Sequence, residues 1–235
     1  MDVKIAIKPE VKVIKPEEIV TLLEPGELGA MLDWEVRDSK TGLLMPDPRT
    51  GLPNKGSIKS KSFVQQFLQI LFCQMAMSPV NSPVANVRDT TNNLRSIYGA
   101  QIAAGGANVT FDVLAAAATS TFGVVVGTGA VAPTISDYQL GAQIAHGVGV
   151  GQLQYSAVTF GAPASDATTS QVTITRNFAN GSGGAVTVNE IGLYCRAYYS
   201  SAIGYFMIIR DVIAGGISVP NGQTLTVNYR PQAVA

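Results

Sequence analysis

Charge is scarce in this sequence. Acidic and basic side chains make up 14% of 235 residues, 16 of each sign, and the formal net charge is zero. A general nucleic-acid binder needs surplus cations to release counterions from phosphates, so that class is excluded. Lysine is missing altogether after Lys61. Only two cysteines occur, Cys73 and Cys195, too far apart for a disulfide framework or a paired metal-ligand spacing. They read as small buried hydrophobes of a reducing compartment. No apolar run is long enough to span a bilayer, because Gln65, Gln66, Gln69 and Gln74 interrupt the one near 63–77. The opening MDVKIAIKPE lacks the apolar core of a signal peptide. The expected site of synthesis is therefore a cytoplasm, which the chain would leave only as part of something larger. Asn108 and Asn180 begin N-x-S/T triplets that read as chance matches in that setting.

What the sequence does have is apolar content, at 46%, with 24 glycines and 12 prolines to turn the chain. A chain of this length hides roughly 70–75% of its unfolded surface on folding and forms one large all-β domain or two small ones. Charge is partitioned unevenly. Residues 1–61 hold all eight lysines, Arg37, Arg49 and ten of the acids, while the remainder is rich in Gly, Ala, Val, Thr and Ser. A surface without lysine must be solvated by neutral polar groups or covered by neighbours, and both alternatives favour β structure.

Five segments follow. Residues 1–20 read as an extended arm carrying IKPE twice, at 7–10 and 14–17, with Val3, Ile5 and Ile7 at strand period. Pro9 and Pro16 exclude a central strand. The apolar set Val3, Ile5, Ile7, Val11, Val13 and Ile14 is the proposed assembly contact. Burying it does not by itself offset the entropy of ordering the backbone, so the arm must also hydrogen-bond to a sheet edge. A flexible tail of mixed charge is the alternative. Residues 21–59 form a hairpin and loop, with Leu32, Trp34 and Val36 on one face of a strand and Asp33, Glu35 and Arg37 on the other. Residues 60–78 give an amphipathic helix capped by Ser60 or Ser62, with Phe63, Phe67, Ile70, Leu71 and Met75 as its packing face. That face meets a sheet of the same chain or, second, another subunit. A membrane-surface helix ranks last, because its polar side carries glutamine rather than cations. Residues 79–110 are a loop-rich connection with short strands.

Residues 111–235 are expected to form the β-sandwich body. FGVVVGTG (122–129) is a buried strand ending in a turn, and NGSGG (180–184) turns between two strands. Asn221-Gly222 has the chemistry of a tight hairpin turn, and Leu225, Val227 and Tyr229 alternate with Thr224, Thr226 and Asn228. The fold class is mainly β: a Gly-rich antiparallel β-sandwich or jelly-roll-like body, one packed α-helix and an extended N-terminal arm.

Catalytic and ligand motifs find no support. GTG at 127–129 and GVGVG at 147–151 lack dinucleotide spacing and a following helix, and no GK[ST] occurs. His146 is the only histidine and reads as a hydrogen-bonded loop residue. NGSGG differs from the G-x-S-x-G elbow, with Asn180 at the first position. Glu190 and Asp211, near Arg196 and Arg210, read as ion pairs or turn caps rather than an acid/base couple. No catalytic, cofactor-binding or metal-ligating residues are assigned, and no small-molecule substrate, nucleic acid or membrane is expected.

Three stretches, FGVVVGTGAVAPTISDYQLGAQIAHG (122–147), QVTITRNFANGSGGAVTVNEIGLY (171–194) and MIIRDVIAGGISVPNGQTLTVNY (207–229), preceded by WEVRDSKTG and KSFVQQFLQIL, carry a resemblance. Their succession resembles β-rich virion structural proteins of tailed bacteriophages. The resemblance implies a non-enzymatic building block located in the virion: a capsid decoration or cement, head-tail or tail component whose partners are other virion proteins and copies of itself. A receptor- or glycan-binding module of a head or tail fibre is the second reading, with Tyr194, Tyr198, Tyr199 and Tyr205 as the aromatic platform. Strand packing competes as the role of those tyrosines.

Overall fold

The alternation in the last strand fixes the core. Leu225, Val227 and Tyr229 are each fully buried, whereas the intervening Thr224, Thr226 and Asn228 are only partly so. The computed structural model describes residues 24, 28–60, 63–76, 83–98, 111–199 and 202–235, without the side chains of 83–85 and 98. The proposed arm residues Val3, Ile5, Ile7, Val11, Val13 and Ile14 lie outside the described residues.

Two antiparallel sheets form the body. In the first, β1 (Leu28–Asp38) pairs with β2 (Lys55–Ser60) on one side. On its other side lies the C-terminal strand (Gln223–Val234), which also pairs with Ile174–Ala179. Short strands extend this sheet: Gln154–Tyr155, Thr159–Phe160, Ala164–Ser165 and Thr169–Gln171. The second sheet contains the hairpin β3 (Pro83–Arg88) and β4 (Leu94–Tyr98), the fully buried β5 (Gly123–Gly127), and two long strands, Val186–Tyr199 and Ala202–Val219. In chain order the strands between β5 and the C-terminus are β6 (Gln154–Tyr155), β7 (Thr159–Phe160), β8 (Ala164–Ser165), β9 (Thr169–Gln171), β10 (Ile174–Ala179), β11 (Val186–Tyr199), β12 (Ala202–Val219) and β13 (Gln223–Val234).

Register aligns the inward rows across three strands of the first sheet. Leu32 faces Tyr229 and Ile174, Trp34 faces Val227 and Arg176, and Val36 faces Leu225 and Phe178. The hydrophobic alternation of all three strands therefore points to one interior, as a half-buried sheet requires. Asn221-Gly222 forms a tight turn but not the expected hairpin, because β12 and β13 belong to different sheets and the turn carries the chain from the second to the first. Gln223 N donates to Pro220 O at 3.1 Å and Gly222 takes a φ of +79°, a conformation that strains any residue with a Cβ.

The second sheet curls. β12 carries an extra residue opposite Leu193–Tyr194 and a four-residue excursion, Ile213–Gly216, opposite Asn189. The β3–β4 turn reaches round so that Thr90 N donates to Tyr205 O on the outer edge of β12. Farther along the same edge, Val64 N donates to Ile208 O, and Arg49 donates to the carbonyls of Gly215 and Gly216.

Helix α1 is Gln65–Ala76, starting later than the expected residue 60, while Ser62 and residues 77–78 lie outside the described residues. Ser60 does not cap it. Ser60 ends β2, and its hydroxyl donates to Asp211 Oδ2 at 2.7 Å between the sheets. The buried helical residues are Gln66, Ile70 and Cys73. Phe63 and Phe67 pack beside them with ring centroids 4.5 Å apart. Of the expected packing face, Leu71 is half-buried and Met75 is exposed at 70%. The cause is that Leu68, Phe72 and Met75 repeat at the same helical spacing as the buried stripe. Periodicity therefore leaves two stripes equivalent, and a buried glutamine decides between them: Gln66 Nε2 donates to Asp137 O at 3.1 Å.

Candidate functional site

The residues most suggestive of chemistry serve the fold. His146 Nδ1 accepts the backbone N–H of Tyr155 at 3.0 Å. Asn180 is buried and its carboxamide donates to Gly184 O and Val219 O. Cys73 and Cys195 are unpaired and enclosed, and burial pushes both thiols upward in pKa. Among the described residues no group of three or more His, Cys, Asp or Glu side chains could hold a metal ion, and no helix is long and apolar enough to cross a membrane.

Glu190 is the centre of the strongest polar network. Its fully buried carboxylate accepts the N–H groups of Gly129, Gly141 and Ala142 at 3.0, 3.0 and 2.8 Å and Arg210 Nε at 3.0 Å. Arg210 continues to Asp137 Oδ2 at 2.7 Å and to Val131 O at 3.0 Å. Burial pushes against the Asp137 carboxylate, but hydrogen bonds from Thr134 and Arg210 hold its pKa below the ordinary value. The network clamps loop 128–142 over the outer face of β11 and β12. The glycines of the turn make it possible, because a Cβ on Gly127 or Gly129 would lie 2.6 or 2.5 Å from Glu190 Oε1. The GTG sequence wraps backbone around a carboxylate of its own chain.

Arg176 is a second hub, without a carboxylate. It is 0% exposed and occupies the inward position between Ile174 and Phe178. Nε donates to Ser156 O at 2.9 Å, Nη1 to Phe122 O and Val124 O at 3.1 and 2.9 Å, and Nη2 to Ala116 O and Thr119 O at 3.2 and 2.5 Å. The guanidinium also lies 4.8 Å from the centroid of Tyr155. Burial pushes its pKa down to about 10, which leaves it charged at neutral pH.

Other charges of the lysine-free region are likewise turned inward or paired. Asp89 takes Arg95 Nε at 2.5 Å together with the amides of Thr91 and Asn93. Asp112 takes Arg196 at 2.6 Å, and Arg230 pairs with Asp33 at 2.5 Å. Asp211 accepts from Ser60 and from Tyr229 at 3.0 Å, Asp166 caps its own turn, and Arg88 binds the carbonyl and side chain of Asn92. Every charged side chain from Phe63 onward thus has a polar partner within the chain, although Arg88 and the exposed Asp166 are held by neutral groups rather than by opposite charges.

Where the sandwich opens beside the start of β1, an apolar cleft of about 390 Å³ lies between the sheets. Phe63, Phe67 and Phe111 line one side, Ile174 and Pro231 another, and Leu193, Ile208 and Ile209 the floor. Leu28, Leu114 and Phe160 border it while exposed at 72%, 56% and 48%. Phe63 and Phe67 meet the start of β1, Leu28 and Gly29, here, which sequence reasoning did not foresee. The four tyrosines do not form one platform. Tyr194 is buried, with its hydroxyl accepting Leu140 N at 2.5 Å, and Tyr199 lies under the Arg95 guanidinium at 4.6 Å. Tyr205 is half-buried and stacks on Phe122 at 5.9 Å.

Comparison of the chain with family models, with curated proteins and with solved structures gives no match.

Proposed function

We propose that the chain is a non-enzymatic structural subunit of a bacteriophage particle, a capsid decoration, head-tail or tail component. Its N-terminal arm and open apolar end grip other virion proteins and copies of itself. The observation that carries this reading is the inward use of charge: in the lysine-free region Arg176, Glu190, Arg210 and Asp211 are buried, and Arg95, Arg196 and Arg210 pair with acids of the same region. Like-charged surfaces repel when crowded together, whereas neutral polar ones pack. The apolar rim of Leu28, Leu114 and Phe160 supports the same reading, since an exposed apolar patch beside a cleft marks a contact surface. The residue pattern of 122–147, 171–194 and 207–229 supplies the bacteriophage assignment.

Deleting residues 2–18 is expected to leave the thermal transition of the body unchanged and to lower incorporation into particles, read by quantitative mass spectrometry of purified virions. Phe160→Asp is expected to act in the same direction through the cleft rim. Normal incorporation of both variants would refute the proposal.

A further inference from the structure

A different part of the surface carries the chemistry of a ligand site. Four segments distant in sequence converge on a cleft of about 550 Å³: the β3–β4 turn (Thr90, Thr91), the approach to β5 (Ser120, Thr121), loop 128–143 (Gln139, Gly141, Gln143) and Tyr205 of β12, with Tyr194 and Leu140 beneath. The volume falls in the range of small-molecule sites. None of the lining residues carries a charge.

Part of its polar lining has no internal partner, although the hydroxyls of Thr91 and Tyr194 and the carboxamide of Gln143 do. Among the described residues, the hydroxyls of Thr90, Ser120 and Thr121 and the carboxamide of Gln139 make no hydrogen bond to the protein. Backbone and buried groups fix the walls that carry them. Thr90 N donates to Tyr205 O at 3.0 Å, Leu140 N to the Tyr194 hydroxyl at 2.5 Å, Gly141 N to Glu190 at 3.0 Å and Gln143 Nε2 to Ser120 O at 2.6 Å. The Arg176 guanidinium holds Thr119 O and Phe122 O on either side of Ser120 and Thr121. The site is therefore preorganised, which reduces the ordering penalty of binding.

We infer that this cleft binds an uncharged saccharide. Neutral hydroxyls and an amide, both able to donate and accept, suit the alternating hydroxyls of a pyranose. The half-buried Tyr205 ring, braced from behind by Phe122, offers an electron-rich face to the sugar's polarised C–H groups. A phosphate or uronate would find no cation among the lining residues. A purely apolar ligand would leave the hydroxyls desolvated without partners, which opposes binding.

The test uses the full chain and saturation-transfer NMR with methyl glucoside, methyl galactoside, N-acetylglucosamine oligomers and oligogalacturonate. Saturable binding of at least one neutral probe at about 10 mM or below is expected, strongest at protons of one ring face. Tyr205→Ala should weaken it at least about ten-fold, and the exposed pair Thr121→Ala and Gln139→Ala should weaken it several-fold. All variants should keep the parent thermal midpoint. A Tyr205→Ala protein that unfolds is replaced by Tyr205→Leu, which keeps bulk against Phe122 and removes the aromatic face. Absence of neutral-sugar binding, tighter binding of oligogalacturonate, or affinity unchanged in the folded Tyr205 and Thr121/Gln139 variants would each overturn the inference. None of these outcomes bears on particle incorporation, so the two proposals fail separately.

Discussion

Replacing Arg176 tests whether a single unpaired guanidinium organises the interior. Its five donor contacts reach carbonyls in three stretches of chain, 116–119, 122–124 and 156. A hydrogen bond to a charged group contributes about 1.5–3 kcal/mol. Withdrawing the charge from water without a counter-ion costs several kcal/mol, which offsets much of the gain. Arg176→Met removes both terms, fills similar volume and leaves carbonyls short of a partner, so a net loss of about 3 kcal/mol is expected. Arg176→Lys is the sharper variant. It keeps the buried charge, supplies at most three donors from one nitrogen, and loses the planar fork that reaches both the Phe122–Val124 and the Ala116–Thr119 carbonyls. The conservative change should therefore destabilise as much as the apolar one, or more. Urea unfolding followed by the fluorescence of Trp34, the sole tryptophan, gives both values, and hydrogen exchange should show loop 115–122 opening first. A Lys variant within about 1 kcal/mol of the parent would refute the reasoning, since surface-like substitutions stay near that limit.

Glu190→Gln should lower stability by about 3–5 kcal/mol, because Arg210 loses a buried charged partner and the amide N–H₂ must face either the Gly129 and Ala142 amides or the Gly141 amide and Arg210. For a chain of this size calorimetry should register a fall in Tm of about 10 °C. Asp137 is among the carboxylates that acid titration should reveal. Its pKa is lower folded than unfolded, so the stability it contributes is complete above the unfolded value of 3.8 and is lost as pH falls below that through the folded value. Asp137→Asn should flatten the dependence of stability on pH below about 4, and an unaltered slope would count against the ion pair with Arg210.

Strands were legible wherever one face alone is buried. The alternation of Leu225, Val227 and Tyr229 appears directly in the burial of β13, whereas in β1 Leu32 and Val36 are buried but Trp34 is no more so than Asp33 and Glu35. Where both faces are covered, as in β5 and much of β11, the strand was legible but the direction of its side chains was not. In β11, Glu190 through Cys195 are all buried because loop 128–142 roofs the outer side, so polar and apolar residues mix without period. Glu190 and Arg210 were recognisable as a pair, but the three amides that bind Glu190 come from 129, 141 and 142, beyond reach of any local pattern. Arg176 did leave a signal, a charged residue at an inward position between Ile174 and Phe178. The cleft at Tyr205 left none, because Thr90, Thr121 and Gln139 are ordinary loop residues until the curl of the second sheet brings them together. The helix was visible but its orientation was not, since apolar side chains occupy too much of its circumference.

The sealed outer margin of β12 has a consequence for how copies of the chain can meet. An eighteen-residue strand with bare amides and carbonyls would be a template on which identical chains could zip into open-ended fibres. Thr90, Val64 and Arg49 occupy that margin at three places along its length, and the margin formed by β2 displays Lys55 and Lys59. Growth by sideways zipping is thereby discouraged while the mouth of the sandwich stays accessible. Edge-to-edge pairing along β12 is thus blocked at the positions these groups occupy.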